Sequence, residues 1–355
     1  MTSFRFSPMS RRDVLWLGAS SLVASVADAA APSWPEAAPA APGSRLAEAL
    51  DAAAPVGVLR AIAVAHDGRL VAERVFREAS PETLLRINSA TKSVTSLLVG
   101  IALGHGRLRS LSQTLGELLP EALAAQPDSA ARDVTLGQVL TGTTGLSYDW
   151  TRQFRALGAA TDPVQFAFAL PREAPPGAAW TYNDPAVGLL GPILERAYGM
   201  ALPEAARVHL FEPLGIDAFE WQRDASGRAI AYGGLRLRIR DLLKIAWLAV
   251  DGGTWRGTRV VPAAWVAEST RRHVGGAWPN PPVEDSGYGF LWFTGTYKGV
   301  PVAWAWGFGA QLALLAPSLR LAVATAATEP SPSQLAAHNQ AVASVVGRIL
   351  DAVRA

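Results

Sequence analysis

Strand-like segments at both ends of this chain enclose a long helical middle, and that order most limits the fold it can adopt. Residues 56–65 are apolar and rich in β-branched side chains, His66-Asp67-Gly68-Arg69 carries an Asp-Gly turn signal, and residues 70–76 resume the strand pattern, which together predict a hairpin. Residues 89–105 read as a buried helix with Leu97, Leu98, Ile101 and Leu103 on its apolar side. From about residue 108 to 248 the pattern is mostly helical, with helices expected over 134–140, 184–198, 202–210 and 240–248. Short aromatic or β-branched segments follow at 288–294, 300–306, 311–316 and 319–326, and a last helix over 332–353. Strands first, helices next, strands again predict an α+β chain. One antiparallel sheet draws on both ends, about 44–107 and 249–355, and is flanked by helices, with an all-α region over about 108–248.

The first 43 residues read as an address rather than as part of the fold. Arg11 and Arg12 precede an uncharged run over 14–27, and Ala27-Asp28-Ala29 offers a small-x-small cleavage site. Residues 1–29 are therefore expected to be a twin-arginine signal, and the Ala- and Pro-rich residues 30–43 a tether before a domain spanning 44–355. The expected location is periplasmic or secreted. The uncharged run is shorter than the roughly 20 residues a membrane span needs, so no stable insertion is expected once the signal is cleaved. The chain has no cysteine, which excludes disulfides, thiolate metal sites and a cysteine nucleophile. Its 5 histidines are scattered, so no metal and no cofactor are expected. A net charge of +2 without basic clusters argues against nucleic-acid binding.

Ser89-Ala90-Thr91-Lys92 is the sharpest chemical feature. Three of the 32 basic residues are lysine, and this is the single Ser-x-x-Lys in the chain. Residues i and i+3 share a helix face, so the Ser89 hydroxyl and the Lys92 amine can meet. The free N–H groups of a first helical turn favour a developing oxyanion. Lys92 is also the one formal charge between Arg86 and Arg107, and a charge in so apolar a helix calls for a partner or a function. Tyr182 stands just before the helix expected at 184, where its phenol is a candidate general base if a lysine ammonium lowers its pKa. In Trp304-Ala305-Trp306-Gly307-Phe308-Gly309-Ala310-Gln311 the small residues leave a strand backbone open to close approach.

These three features in this order resemble the penicillin-binding-protein and serine β-lactamase superfamily, and within it the class C-like branch of esterases, peptidases and 6-aminohexanoate-dimer hydrolases. The stretches 89–96, 140–146, 211–216, 288–292 and 306–311 carry the likeness. The resemblance implies a β-lactamase/transpeptidase-like fold with its site between the sheet and the helical region. It implies Ser89 as acylated nucleophile, Lys92 and Tyr182 as proton-handling groups, and the backbone N–H groups of Ser89 and Gln311 as the oxyanion hole. Pocket candidates are Asn183, Asp184, Tyr148, Trp150, Trp306, Phe308, Gly309 and Ala310. Two departures stand out. Asp184 occupies the third place of the Tyr-x-Asn element, and Phe308-Gly309-Ala310 replaces the Lys-Thr-Gly that anchors a β-lactam carboxylate. The expected activity is cleavage of a small-molecule ester or amide through an acyl-enzyme. A DD-peptidase or β-lactamase, and a binding protein of the same fold with a decayed site, are the alternatives. The sequence does not give the oligomeric state.

Overall fold

The computed structural model describes Trp34, residues 43–278 and residues 282–354. Both ends of the chain meet in one sheet of eight strands: β1 (Leu59–His66), β2 (Arg69–Val75), β3 (Val274–Gly275), β4 (Glu284–Tyr288), β5 (Phe293–Tyr297), β6 (Val300–Gly307), β7 (Gln311–Ala316) and β8 (Leu321–Ala327). Their spatial order is β2-β1-β8-β7-β6-β5-β4-β3, and every neighbouring pair is antiparallel. The β1–β2 hairpin closes at His66↔Arg69 through Asp67 and Gly68, both at positive φ (48° and 79°). That is the two-residue turn whose twist matches the strands. β7 is buried along its whole length and β8 along all but its last residue, as expected of central strands covered on both faces.

Nine helices carry the argument: α1 (Arg45–Asp51), α2 (Thr91–Gly104), α3 (Leu136–Thr141), α4 (Trp150–Ala159), α5 (Asp184–Gly188), α6 (Leu190–Tyr198), α7 (Ile239–Val250), α8 (Ala263–Ser269) and α9 (Leu335–Arg354). α1 packs on α9, which is tied to β5 where the Tyr297 hydroxyl donates to Gly347 O at 3.0 Å. α2 is buried from Thr91 to Ala102 and touches α6, α8 and β6. Gly100 lets α8 approach, because a Cβ there would lie 2.1 Å from the Trp265 ring.

Several boundaries differ from those read in the sequence. α7 was expected to belong to the helical region, yet it lies on the sheet across β1, β7 and β8. The strand expected over 288–294 is broken. β4 ends at Tyr288, the chain turns with Gly289 N–H bonded to Trp292 O at 2.8 Å, and β5 starts at Phe293. The turn is fixed from outside: Ser93 Oγ donates to Leu291 O at 2.7 Å, and Leu291 N–H to Leu140 O at 2.9 Å. The helix expected over 184–198 is two pieces, because Pro192 has no N–H for the carbonyl of Gly188. The expected signal (residues 1–29) and most of the tether (30–43) lie outside the described residues. Trp34, within the tether, is only 3% exposed. Its Nε1 donates to Gly68 O at 3.0 Å, and its ring stands edge-on to Trp255 at 5.1 Å.

Candidate active site

Ser89 lies in a 3-10 turn (Asn88–Ala90) that leads into α2. The turn is entered through Asn88 at φ +48° and closed by Thr91 Oγ1 donating to Asn88 O at 2.7 Å. It is pressed against the end of β6. At Gly307 a Cβ would stand 2.1 Å from Ile87 O and 3.0 Å from Asn88 Cβ, so only glycine fits between strand and turn. Ser89 itself is partly exposed, whereas Lys92, one turn on, is 3% exposed.

The sequence-predicted groups do converge. Ser89 lies beside the Tyr182 phenol and lowers its proton affinity, and Lys92 Nζ lies 4.5 Å from the Tyr182 ring centroid. Lys92 Nζ forms a buried ion pair with Asp184 Oδ1 at 2.7 Å and donates to Tyr232 O at 3.0 Å. The segment carrying Tyr232 is held against α2 by Thr95 Oγ1, which donates to Ala231 O at 2.7 Å. Asn183 does not face the cleft. Its Oδ1 caps α5 by accepting from Ala186 N–H at 3.0 Å, and its Nδ2 donates to Leu146 O at 3.2 Å. Capping turns the next residue, Asp184, inward.

One electrostatic expectation is overturned. The phenol of Tyr182 is not brought down by the lysine but held well above its usual range, first by burial and then by Asp184, with the Ser89 bond pulling the other way. The ammonium sits over the ring face, and the carboxylate bonded to it offsets its charge. Burial also pushes the Asp184 carboxyl up, against the pull of Lys92. Tyr148, Tyr232 and Tyr288 surround the same carboxylate, and each is raised by burial first and by Asp184 as a lesser cause. Tyr148 is therefore a buried neighbour of Asp184 and not a pocket wall; its hydroxyl has no partner.

The β6–β7 turn forms another side of the site. All three of its carbonyls are bound by side chains. Phe308 O accepts from Asn88 Nδ2 at 2.9 Å, and Ala310 O from Thr325 Oγ1 at 2.9 Å. Gly309 O lies 3.0 Å from both Gln311 Nε2 and His338 Nε2. The side chain of Gln311, whose backbone N–H was expected to meet an oxyanion, lies behind this turn. Gln311 is 1% exposed, pairs with Gly307 across the ladder, and its side chain bonds both N–H and O of Ala327. It acts as the clamp of the turn.

Two aromatic groups flank these residues. Trp150 lies tilted against Phe308 at 6.1 Å and Phe154 at 6.0 Å. Tyr182 is covered by Trp278 at 4.6 Å, with Trp180 5.5 Å from Trp278, while Trp306 packs on Phe293 at 5.6 Å. Trp180, Trp278 and Tyr232 were not singled out in the sequence, and a backbone acceptor such as Tyr232 O has no sequence signature.

Comparison with known proteins agrees with this geometry. The profile of the family described as Beta-lactamase matches residues 46–347. Esterase EstB of Burkholderia gladioli is 30% identical over 169 residues, 41% of this chain and 39% of that protein. The 6-aminohexanoate-dimer hydrolase of Paenarthrobacter ureafaciens is 25% identical over 230 residues, 58% and 55% of the two chains. Among solved structures, the octameric penicillin-binding protein homologue from Pyrococcus abyssi superimposes with a TM-score of 0.65 at 21% identity, covering 85% of this chain and 77% of that one.

Proposed function

The chain belongs to the β-lactamase family, and on that premise we propose that it is an exported serine hydrolase cleaving an uncharged carboxylic ester through an acyl-enzyme on Ser89. The observation that carries this reading is the convergence of Ser89, Tyr182 and Lys92, with Lys92 Nζ 4.5 Å from the Tyr182 ring centroid and paired with buried Asp184. A serine hydroxyl is a weak nucleophile, and a proton relay at its oxygen supplies the activation it needs. Ser89 Oγ attacks the carbonyl carbon while its proton leaves through Tyr182, which gives up its own proton towards Lys92. The oxyanion is met by the Ser89 N–H and by an amide of the turn Phe308–Ala310, which Gln311 holds in shape. Collapse expels the alcohol, and water then releases the acid. An ester is favoured over an amide because an alkoxide leaves more easily than an amine.

Phe308, Gly309 and Ala310 offer neither the cation nor the hydroxyl that anchor a β-lactam carboxylate, and the aromatic groups at 150, 278 and 306 suit an apolar substituent. Export rests on the arginine pair and the small-residue cleavage site before residue 30. The test is hydrolysis of p-nitrophenyl butyrate by the wild type beside Ser89→Ala, with intact-mass analysis after a fluorophosphonate probe. The expected result is turnover and a single adduct in the wild type and neither in the variant. Turnover that survives in Ser89→Ala overturns the assignment of the nucleophile, and a stable penicillin adduct on Ser89 would move the reading to a penicillin-recognising enzyme.

A further inference from the structure

We propose that Asp184 is the proton acceptor of the acylation step, acting through Lys92. This rests on the serine-hydrolase reading above and assigns a role to the residue that departs from the Tyr-x-Asn pattern. Before attack, the Ser89 hydroxyl must lose a proton, but its nearest partners already hold theirs. Tyr182 is a phenol, and Lys92 is an ammonium in a 2.7 Å ion pair. The base that remains is Asp184. Its side chain is 1% exposed, and Oδ1, which has no hydrogen-bond partner among the described residues, lies 2.7 Å from Lys92 Nζ in an ion pair. Lys92 in turn is placed by Tyr232 O at 3.0 Å and lies 4.5 Å from the Tyr182 ring centroid.

As Ser89 Oγ bonds to the carbonyl carbon, its proton moves to the Tyr182 oxygen. The Tyr182 proton moves to Lys92 Nζ, and one Lys92 proton moves to Asp184 Oδ1. Tyr182 ends as a phenol, Lys92 as an ammonium and Asp184 as a carboxylic acid, while the negative charge has passed to the carbonyl oxygen. The ammonium over the Tyr182 ring is then no longer offset by a carboxylate, so its field strengthens as negative charge develops on the substrate. The reverse relay delivers the proton to the leaving alkoxide. Burial raises the proton affinity of the Asp184 carboxyl, which makes it a better acceptor than an exposed carboxylate. The groups facing this carboxylate are Lys92 from α2, Tyr182 ahead of α5, Tyr148 ahead of α4, Tyr232 and Tyr288; Lys92 is the charged one among the described residues.

The test is the rate of Ser89 labelling by a fluorophosphonate probe against pH, in the wild type and in the near-isosteric Asp184→Asn. In the wild type labelling fails on acidification, because a protonated Asp184 cannot accept. In Asp184→Asn no buried carboxylate remains to accept the proton, so the acid limb moves to higher pH. The expected loss is at least about tenfold at about pH 6.5, with recovery to within about threefold at about pH 9.5. A limb that stays in place, or one that moves to lower pH, overturns the proposal. Melting curves check that the variant folds, and Asp184→Ser replaces it if it does not. A wild type that is unlabelled at every pH overturns the hydrolase reading itself, which is a different result from labelling with an unmoved limb.

Discussion

Replacing Gly307 by alanine tests the contact between sheet and nucleophile turn most directly. Gly307 has an ordinary negative φ, so the added methyl brings no backbone strain, and its effect is steric alone. The Cβ would stand 2.1 Å from Ile87 O, whereas a carbon–oxygen contact needs roughly 3.3 Å, so the turn and the strand must separate by about 1 Å. The atom struck is a backbone carbonyl two residues before the nucleophile, and no side chain can swing away to relieve it. Overpacking of this kind costs about 1–3 kcal/mol. A displacement of about 1 Å at a reacting group can lower turnover by about 100-fold. The expected outcome is a folded protein with a lower melting temperature and kcat/KM for p-nitrophenyl butyrate down by about two orders of magnitude. Gly158→Ala is the control. It lies in α4 with nothing within 4 Å of the new Cβ, so stability should hold or rise by about 0.5–1 kcal/mol with activity unchanged. Wild-type turnover in Gly307→Ala would refute the placement of the turn against β6.

Two further outcomes follow from contacts described above. Gln311→Leu keeps the volume but removes the side chain that holds Gly309 O and both polar groups of Ala327, so kcat should fall with KM little changed in steady-state kinetics; a fall confined to KM would contradict the role of that clamp. Trp34→Ala should cost about 3–5 kcal/mol in urea unfolding, as for other buried tryptophans, and an unchanged midpoint would show that the segment is not docked.

The parts of the site legible in the sequence are those with short spacing. Ser89 and Lys92 are one helical turn apart, and Tyr182 precedes a helix start marked by Asp184-Pro185, so local rules located them. What escaped depends on long-range contacts. Nothing in 229–234 announces that the Tyr232 carbonyl accepts from Lys92 140 residues earlier in the chain. α7 carries Asp241 and Lys244 and so reads as a helix with a polar side, but the two pair with each other at 2.8 Å inside the protein and the helix lies on the sheet. The aromatic run 288–294 has strand composition throughout, and its break is imposed by Ser93 and Leu140, which no local pattern could reveal. Asp184 was visible as a departure, but its meaning depended on direction: Asn183, one residue earlier, is spent as a cap.

The place of β1 between β2 and β8 has a consequence for how the molecule is made. His66 pairs with Leu321, so the apolar edge of β1 waits for about 255 further residues before its neighbour exists. At the roughly 5–20 residues per second of protein synthesis, that is about 13–50 s with an open strand edge leaving the ribosome. Ser89 emerges early as well, but the strand end at Gly307 against which its turn is set comes more than 200 residues later. A nascent or truncated chain therefore carries Ser89 and Lys92 without a working site. On the proposed reading, reactivity begins only once the last strands arrive, and the same wait exposes β1 to pairing with the wrong chain.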